Sequence, residues 1–175
     1  IKETGIRVSP PVNKSYDEIF NPAQPIQPAT KEVVGDNISS NGTSEFAKQL
    51  TNPGNTVSVT YKGTTFRNAE HAYQTWKSGE FDEAAYKSTA FKPVGTKKVN
   101  TSTNYQTMVE ILTAKLQQHP ELLEGITQRG GLAYLASSTH TVIGDKYWES
   151  AGQNKFIEAL IDAYTNITNT HANKN

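Results

Sequence analysis

Glu70, Tyr73, Gln74 and Lys77 recur at i, i+3, i+4 and i+7. On an α-helix this spacing gathers an acid, a phenol, an amide and an amine on one stripe about 100° wide. Ala69, Ala72 and Trp76 fall on roughly the opposite side. Such a helix has an apolar back for a core and a front suited to stacking a ring and hydrogen-bonding a sugar. A solvated helix face can carry the same residues, and it is the aromatic and the amide among the charges that suggest a pocket. Glu70 falls in the first helical turn, where the helix dipole favours negative charge. A carboxylate there could activate water, attack an anomeric carbon or stabilise an oxocarbenium-like transition state. A general-acid role would need burial or a second carboxylate to keep the proton on. Lys77, two turns on, could hold a phosphate or, if desolvated, act as a nucleophile. The residues alone leave these roles open.

A second cluster is Gly144-Asp145-Lys146-Tyr147-Trp148, followed by Gly152-Gln153-Asn154. It offers another carboxylate and an aromatic platform for a base. Its plainer reading is a turn aspartate beside core aromatics. Periodicity does not show that the two clusters meet.

The elements that must position these residues are mostly helical. Val57-Ser58-Val59-Thr60-Tyr61 alternates like a strand, Lys62-Gly63 turns it, and Thr64-Thr65-Phe66 completes a short hairpin. Asn68 is a suitable N-cap for a helix from Ala69 to Lys77, ended by Ser78-Gly79. Further helices are expected at 81–87, at 105–118 with Tyr105, Met108, Val109, Leu112 and Leu116 on one face, at 120–127 after Pro120, and at 153–165. The fold class expected is α+β: one compact, helix-rich domain with a small β-sheet. It should span residues 37–167, between a Pro-rich extended arm or linker (1–36) and a polar tail (168–175). Pro10, Pro11, Pro22, Pro25 and Pro28 give the arm its polyproline-like character.

Composition narrows the function. Seventeen basic residues balance seventeen acidic ones, and the longest basic cluster is Lys97-Lys98. A generic nucleic-acid lattice binder would carry a basic stripe, although one modified nucleotide could still be a substrate. With no cysteine, disulfides, thiolate metal sites and cysteine nucleophiles are excluded. His71, His119, His140 and His171 show no metal-ligand spacing, and no metal or cofactor is expected. No apolar run approaches the ~20 residues of a membrane span. A soluble, cytoplasmic protein without membrane partners is expected. The chain opens on Ile1 rather than Met, which admits a segment of a longer polypeptide.

Several of these pieces together resemble the NADAR, or YbiA-like, family, from Asn37 to Tyr164. Gly63-Thr64-Thr65-Phe66, then Glu70-His71-Ala72-Tyr73-Gln74 and Lys77, is similar to its G-x-x-F/Y followed by E-H-x-Y-Q-x-x-K. Asp145, Tyr147, Trp148, Gly152 and Asn154 resemble its D-x-Y/F-W-G then G-x-N. Leu50-Thr51-Asn52 stands where many members have Leu-Ser-Asn. Ile111 to Lys115, with His119-Pro120-Glu121-Leu122, resembles the central helix.

The resemblance implies an N-glycosidase of ADP-ribose-like or ribosyl-phosphate nucleotides, acting on ADP-ribosylated guanine or a riboflavin-pathway intermediate. It implies Glu70 and Asp145 as the acidic residues and Lys77 as a catalytic or phosphate-binding cation. Trp148 would stack the base, and Asn52, Tyr73, Gln74 and Asn154 would position sugar and phosphate. The partner would be a small nucleotide or ADP-ribosylated base, with modified nucleic acid a further candidate. The chain departs from the family pattern at Glu149, where Gly is usual, and at Tyr164, where many members carry Arg. Leu135-Ala136-Ser137-Ser138 also stands where an acid often precedes the second motif. The departures at Glu149 and Tyr164 motivate one alternative, a non-catalytic ADP-ribose or nucleotide reader. The Pro-rich arm and the non-Met start suggest another, a structural or carrier module in a larger protein.

Overall fold

A computed structural model describes residues 32–53, 57–141 and 154–173, with the side chains of 170–173 excepted. Its elements follow from local signals. Ser44 Oγ accepts from Ala47 N at 3.0 Å and starts α1 (Glu45–Leu50). Strands β1 (Val59–Tyr61) and β2 (Thr64–Phe66) pair antiparallel, Val59 opposite Phe66 and Tyr61 opposite Thr64. Lys62 (φ 51°) and Gly63 (φ 80°) both take left-handed backbone in the turn, the geometry that matches the twist of a two-residue hairpin.

Asn68 Oδ1 accepts from His71 N at 2.8 Å, capping α2 (Ala69–Trp76) as the sequence predicts. Asp82 does the same for α3 (Glu83–Lys87). Helix α4 (Asn104–Gln118) ends at His119, and Pro120 occupies the first turn of α5 (Pro120–Gln128), where its missing N–H costs nothing. α6 (Leu132–Ala136) is short.

Helix α7 (Lys155–Asn173) runs beyond the predicted end near 165 and through most of the segment read as a polar tail. Its apolar stripe explains the difference. Phe156, Leu160, Ala163 and Ile167 are buried in succession, so the buried face continues past Tyr164. Thr168 Oγ1, bonded to the Tyr164 carbonyl at 2.9 Å, satisfies its hydroxyl on the helix itself.

α4 is the central element. It packs along α7 and also meets α2, β1 and α5. Met108, Ile111, Leu112 and Leu116 of α4 are buried with Phe156, Ile157 and Leu160 of α7 and Phe66 of β2 in one hydrophobic core. At the hairpin, the Gln118 side-chain amide accepts from Thr60 N and donates to Thr60 O, both at 2.8 Å. Asn37 bridges Thr139 in parallel, with Ile38 N donating to Thr139 O (2.7 Å) and Thr139 N to Asp36 O (2.8 Å). The architecture is therefore helix-rich α+β with a two-stranded sheet, as expected. Among the described residues no helix is long and apolar enough to cross a membrane.

Candidate active site around Glu70

The capped start of α2 fixes where Glu70 stands. The Glu70 amide, one of the first-turn N–H groups without a partner inside the helix, donates to the Asn52 carbonyl at 3.0 Å. The Asn52 side chain returns the contact: Nδ2 donates to Glu70 Oε1 at 3.3 Å and lies 3.3 Å from Met108 Sδ. The second carboxylate oxygen, Oε2, accepts from Gln74 Nε2 at 2.9 Å, one helical turn on. Gln74 Oε1 in turn accepts from Gly95 N at 3.1 Å, which fixes the amide's orientation. Both oxygens of Glu70 are thus held as acceptors by amides, one from the α1–β1 connection and one from its own helix.

These residues line a cavity of about 160 Å³ together with Tyr73, Thr51, Met108, Lys92, His140 and Phe156. Asn52 is buried, and its Oδ1 has no hydrogen-bond partner among the described residues. A buried acceptor left open beside a cavity suits a donor from a bound molecule, such as a sugar hydroxyl. Beneath it lies Lys115, the one buried lysine among the described residues, whose Nζ donates to the Thr51 carbonyl at 2.8 Å. Burial pushes this amine down to about 7, so it supports the Thr51–Asn52 backbone near the boundary between its charged and neutral forms.

His140 enters from the other wall. Its Nδ1 lies 2.7 Å from the Ile38 carbonyl, so that nitrogen carries the hydrogen, and its ring packs 4.3 Å from Phe156. Asn154 donates through Nδ2 to the His140 carbonyl (3.2 Å) and accepts through Oδ1 from Ile157 N (3.2 Å). It therefore caps α7 and ties that helix to His140, rather than standing in the cavity lining itself.

The wall beside Gln74 is the irregular segment after α3. Gly95 presses onto the end of α2 so closely that a Cβ there would lie 2.6 Å from the Gln74 carbonyl oxygen and 3.0 Å from Lys77 Cε. Asp82 accepts from Thr96 N (2.6 Å), Lys97 N (2.9 Å) and Thr96 Oγ1 (3.0 Å) besides capping α3. Its burial opposes the charge, but the Lys97 and Ala85 amides and the Thr96 donors outweigh it and hold the carboxyl below its ordinary range.

Of the residues the sequence singled out, Glu70, Asn52, Tyr73 and Gln74 come together at the cavity. Lys77, at the C-cap of α2, packs under Gly95 and is absent from the lining. Asp145 and Trp148, with Gly144, Tyr147, Glu149 and Gly152, lie outside the described residues. His71 has a structural role: Nδ1 accepts from Arg67 N, Nε2 donates to the Tyr86 carbonyl at 2.7 Å, and the ring stacks on Tyr86. Burial holds its pKa below the usual histidine value, with the Tyr86 carbonyl opposing and Arg67 adding to the shift. Tyr164, at the departure from the family's arginine, is buried and bonds Thr127 Oγ1 at 2.7 Å, outside the lining.

Sequence reasoning missed Lys92, His140, Met108 and Phe156. Met108 and Phe156 carry only the signature of helix core positions, and Lys92 and His140 stand in segments without periodicity.

The helix-rich architecture with its small two-stranded sheet is a YbiA-like fold. The NMR structure of the E. coli protein YbiA aligns with 86% of this chain and 95% of that chain, with a TM-score of 0.50 and 19% sequence identity. No family model matches the sequence. No curated protein matches it either.

Proposed function

We propose that the chain is an N-glycosidase that hydrolyses the N-glycosidic bond of an ADP-ribosyl or ribosyl-phosphate nucleotide. The observation that carries this reading is Glu70, set at a cavity with each carboxylate oxygen accepting from a side-chain amide. That placement suits a group that must face a developing positive charge at an anomeric carbon or orient water toward it. The fold and the motif resemblance around Glu70 support the same class. Asn52 Oδ1 is the proposed acceptor for a sugar hydroxyl, and Tyr73 a flat wall for the sugar or base. Asp145 and Trp148 keep the roles the resemblance implies, second carboxylate and base platform. In this reading Lys77 acts through the packing of Gly95 and the end of α2 rather than at the reacting atoms.

The test is incubation with ADP-ribosylated guanosine or DNA, a ribosylaminopyrimidine phosphate, and NAD, with released base and sugar read by mass spectrometry. Cleavage of one substrate, abolished in Glu70→Gln while circular dichroism stays unchanged, is the expected result. Equal turnover by Glu70→Gln would sink the proposal. Tight binding of ADP-ribose without any cleavage would favour a reader domain instead.

A further inference from the structure

The segment from Ser88 to Asn100 has no regular structure, yet it is fastened at both ends. At its start the Arg67 guanidinium donates to the carbonyls of Ser88 (2.8 Å) and Ala90. At its far end Gly95 N is held by Gln74, Thr96 and Lys97 N by Asp82, and Asn100 N by the Lys77 carbonyl (3.2 Å). Between the anchors stand Phe91-Lys92-Pro93-Val94. Pro93 is buried, fixes its own φ, and biases Lys92 toward extended backbone. Lys92 is therefore displayed from a short span with little freedom to move.

Lys92 is the one lysine or arginine among the described residues lining the Glu70 cavity. Of the lysines near it in sequence, Lys87 pairs with Glu83 at 2.7 Å and Lys97 with Glu80 at 2.9 Å. Lys92 forms no ion pair with a described residue. The cavity thus has an acid on α2 and, on the facing loop, an ammonium with no ion-pair partner among the described residues, the two joined through Gln74, whose amide touches both Glu70 and Gly95.

We infer that Lys92 is the phosphate-binding residue of this site, taking the phosphomonoester of a ribosyl substrate while its sugar lies against Glu70. The inference rests on the ribosyl reading of the cavity and adds its orientation. A phosphate is repelled by the carboxylate and drawn to the ammonium, so the two charges admit the substrate one way round. It assigns to Lys92 the phosphate contact that the sequence motif suggests for Lys77.

The test is binding of ribose 5-phosphate and of ribose to the full chain by calorimetry, in wild type, Lys92→Ala, Lys92→Arg and Lys77→Ala. Wild type should prefer the phosphorylated sugar by about tenfold or more, as a charge-assisted hydrogen bond supplies. Lys92→Ala should lose the preference while ribose binding holds, Lys92→Arg should keep part of it, and Lys77→Ala should retain it. A wild type that binds neither sugar or shows no preference, a Lys92→Ala that keeps it, or a Lys77→Ala that loses it overturns the inference. Turnover separates this from the glycosidase reading. Lost phosphate preference in Lys92→Ala, with no cleavage of any N-glycoside by wild type, sinks the enzyme and leaves the phosphate contact. Cleavage with an unchanged KM for the phosphorylated substrate in Lys92→Ala does the reverse.

Discussion

Glu70 is oriented by amides from two separate parts of the chain, and each can be removed without touching the acid. Asn52→Leu keeps the side-chain size but deletes the contact to Oε1 and the open acceptor at the cavity. On the proposed function it should lower kcat about 10–100-fold, the loss expected when a reacting group is misplaced by a fraction of an ångström or more. Steady-state kinetics on the cleaved substrate checks it, and an unchanged kcat would remove Asn52 from the machinery. Lys115 makes a prediction independent of any activity. Its pKa is near 7 folded and about 10.5 unfolded, so between these values the unfolded chain binds more protons and stability rises with pH. The penalty is whole below about 7 and relieved toward 10.5. The buried tyrosines Tyr61 and Tyr134, both raised by desolvation and a carboxylate partner, act oppositely but only near and above pH 10. His71 acts below its ordinary 6.5. Urea denaturation from pH 7.5 to 9.5 should therefore show rising stability in wild type and a flatter profile in Lys115→Met. A slope equal in both would show that Lys115 titrates as an ordinary lysine.

At the scale of elements, the 88–100 segment owes its position to Asp82 more than to its own residues. Asp82→Ala removes the α3 cap and the acceptors for Thr96 and Lys97. We expect a loss of about 1–3 kcal/mol and faster hydrogen exchange at the Thr96 and Lys97 amides, measured by NMR. Because the Asp82 carboxyl is held low, its share of stability is present above about pH 4 and lost as pH falls through the folded value. Protection unchanged in the variant would mean that the anchors at Gln74, Arg67 and the Lys77 carbonyl suffice to hold the loop. How far the sequence revealed this arrangement depended on the range of each signal. The hairpin, α2 with its Asn68 cap and the Glu70–Tyr73–Gln74 face are legible because alternation, capping and helical spacing act within a few residues. The walls contributed by α4 and α7 are not, since Met108 and Phe156 look like any buried helix position until the helices are packed. Lys92 is invisible for another reason: its place is set by hydrogen bonds to Arg67, Gln74 and Asp82, none of which leaves a periodic trace near it.

The molecule as a whole is organised around α4, which packs against α2, α5, α7 and β1 and carries both core and cavity residues. Leu112→Ala, at a fully buried core position of this helix, should cost about 2–5 kcal/mol and lower Tm in proportion, measured by thermal denaturation. A cost below ~1 kcal/mol would indicate that the surrounding helices collapse into the space. The same helix also reaches the hairpin through Gln118, whose amide meets both the N–H and the C=O of Thr60. A β-edge with open backbone groups is a template on which another chain can add a strand. One side-chain amide here mimics the pairing a neighbouring strand would offer and closes that edge from within. Replacing Gln118 would therefore matter less to the fold's interior than to its company: it would leave the hairpin free to recruit the exposed strands of other molecules at high concentration.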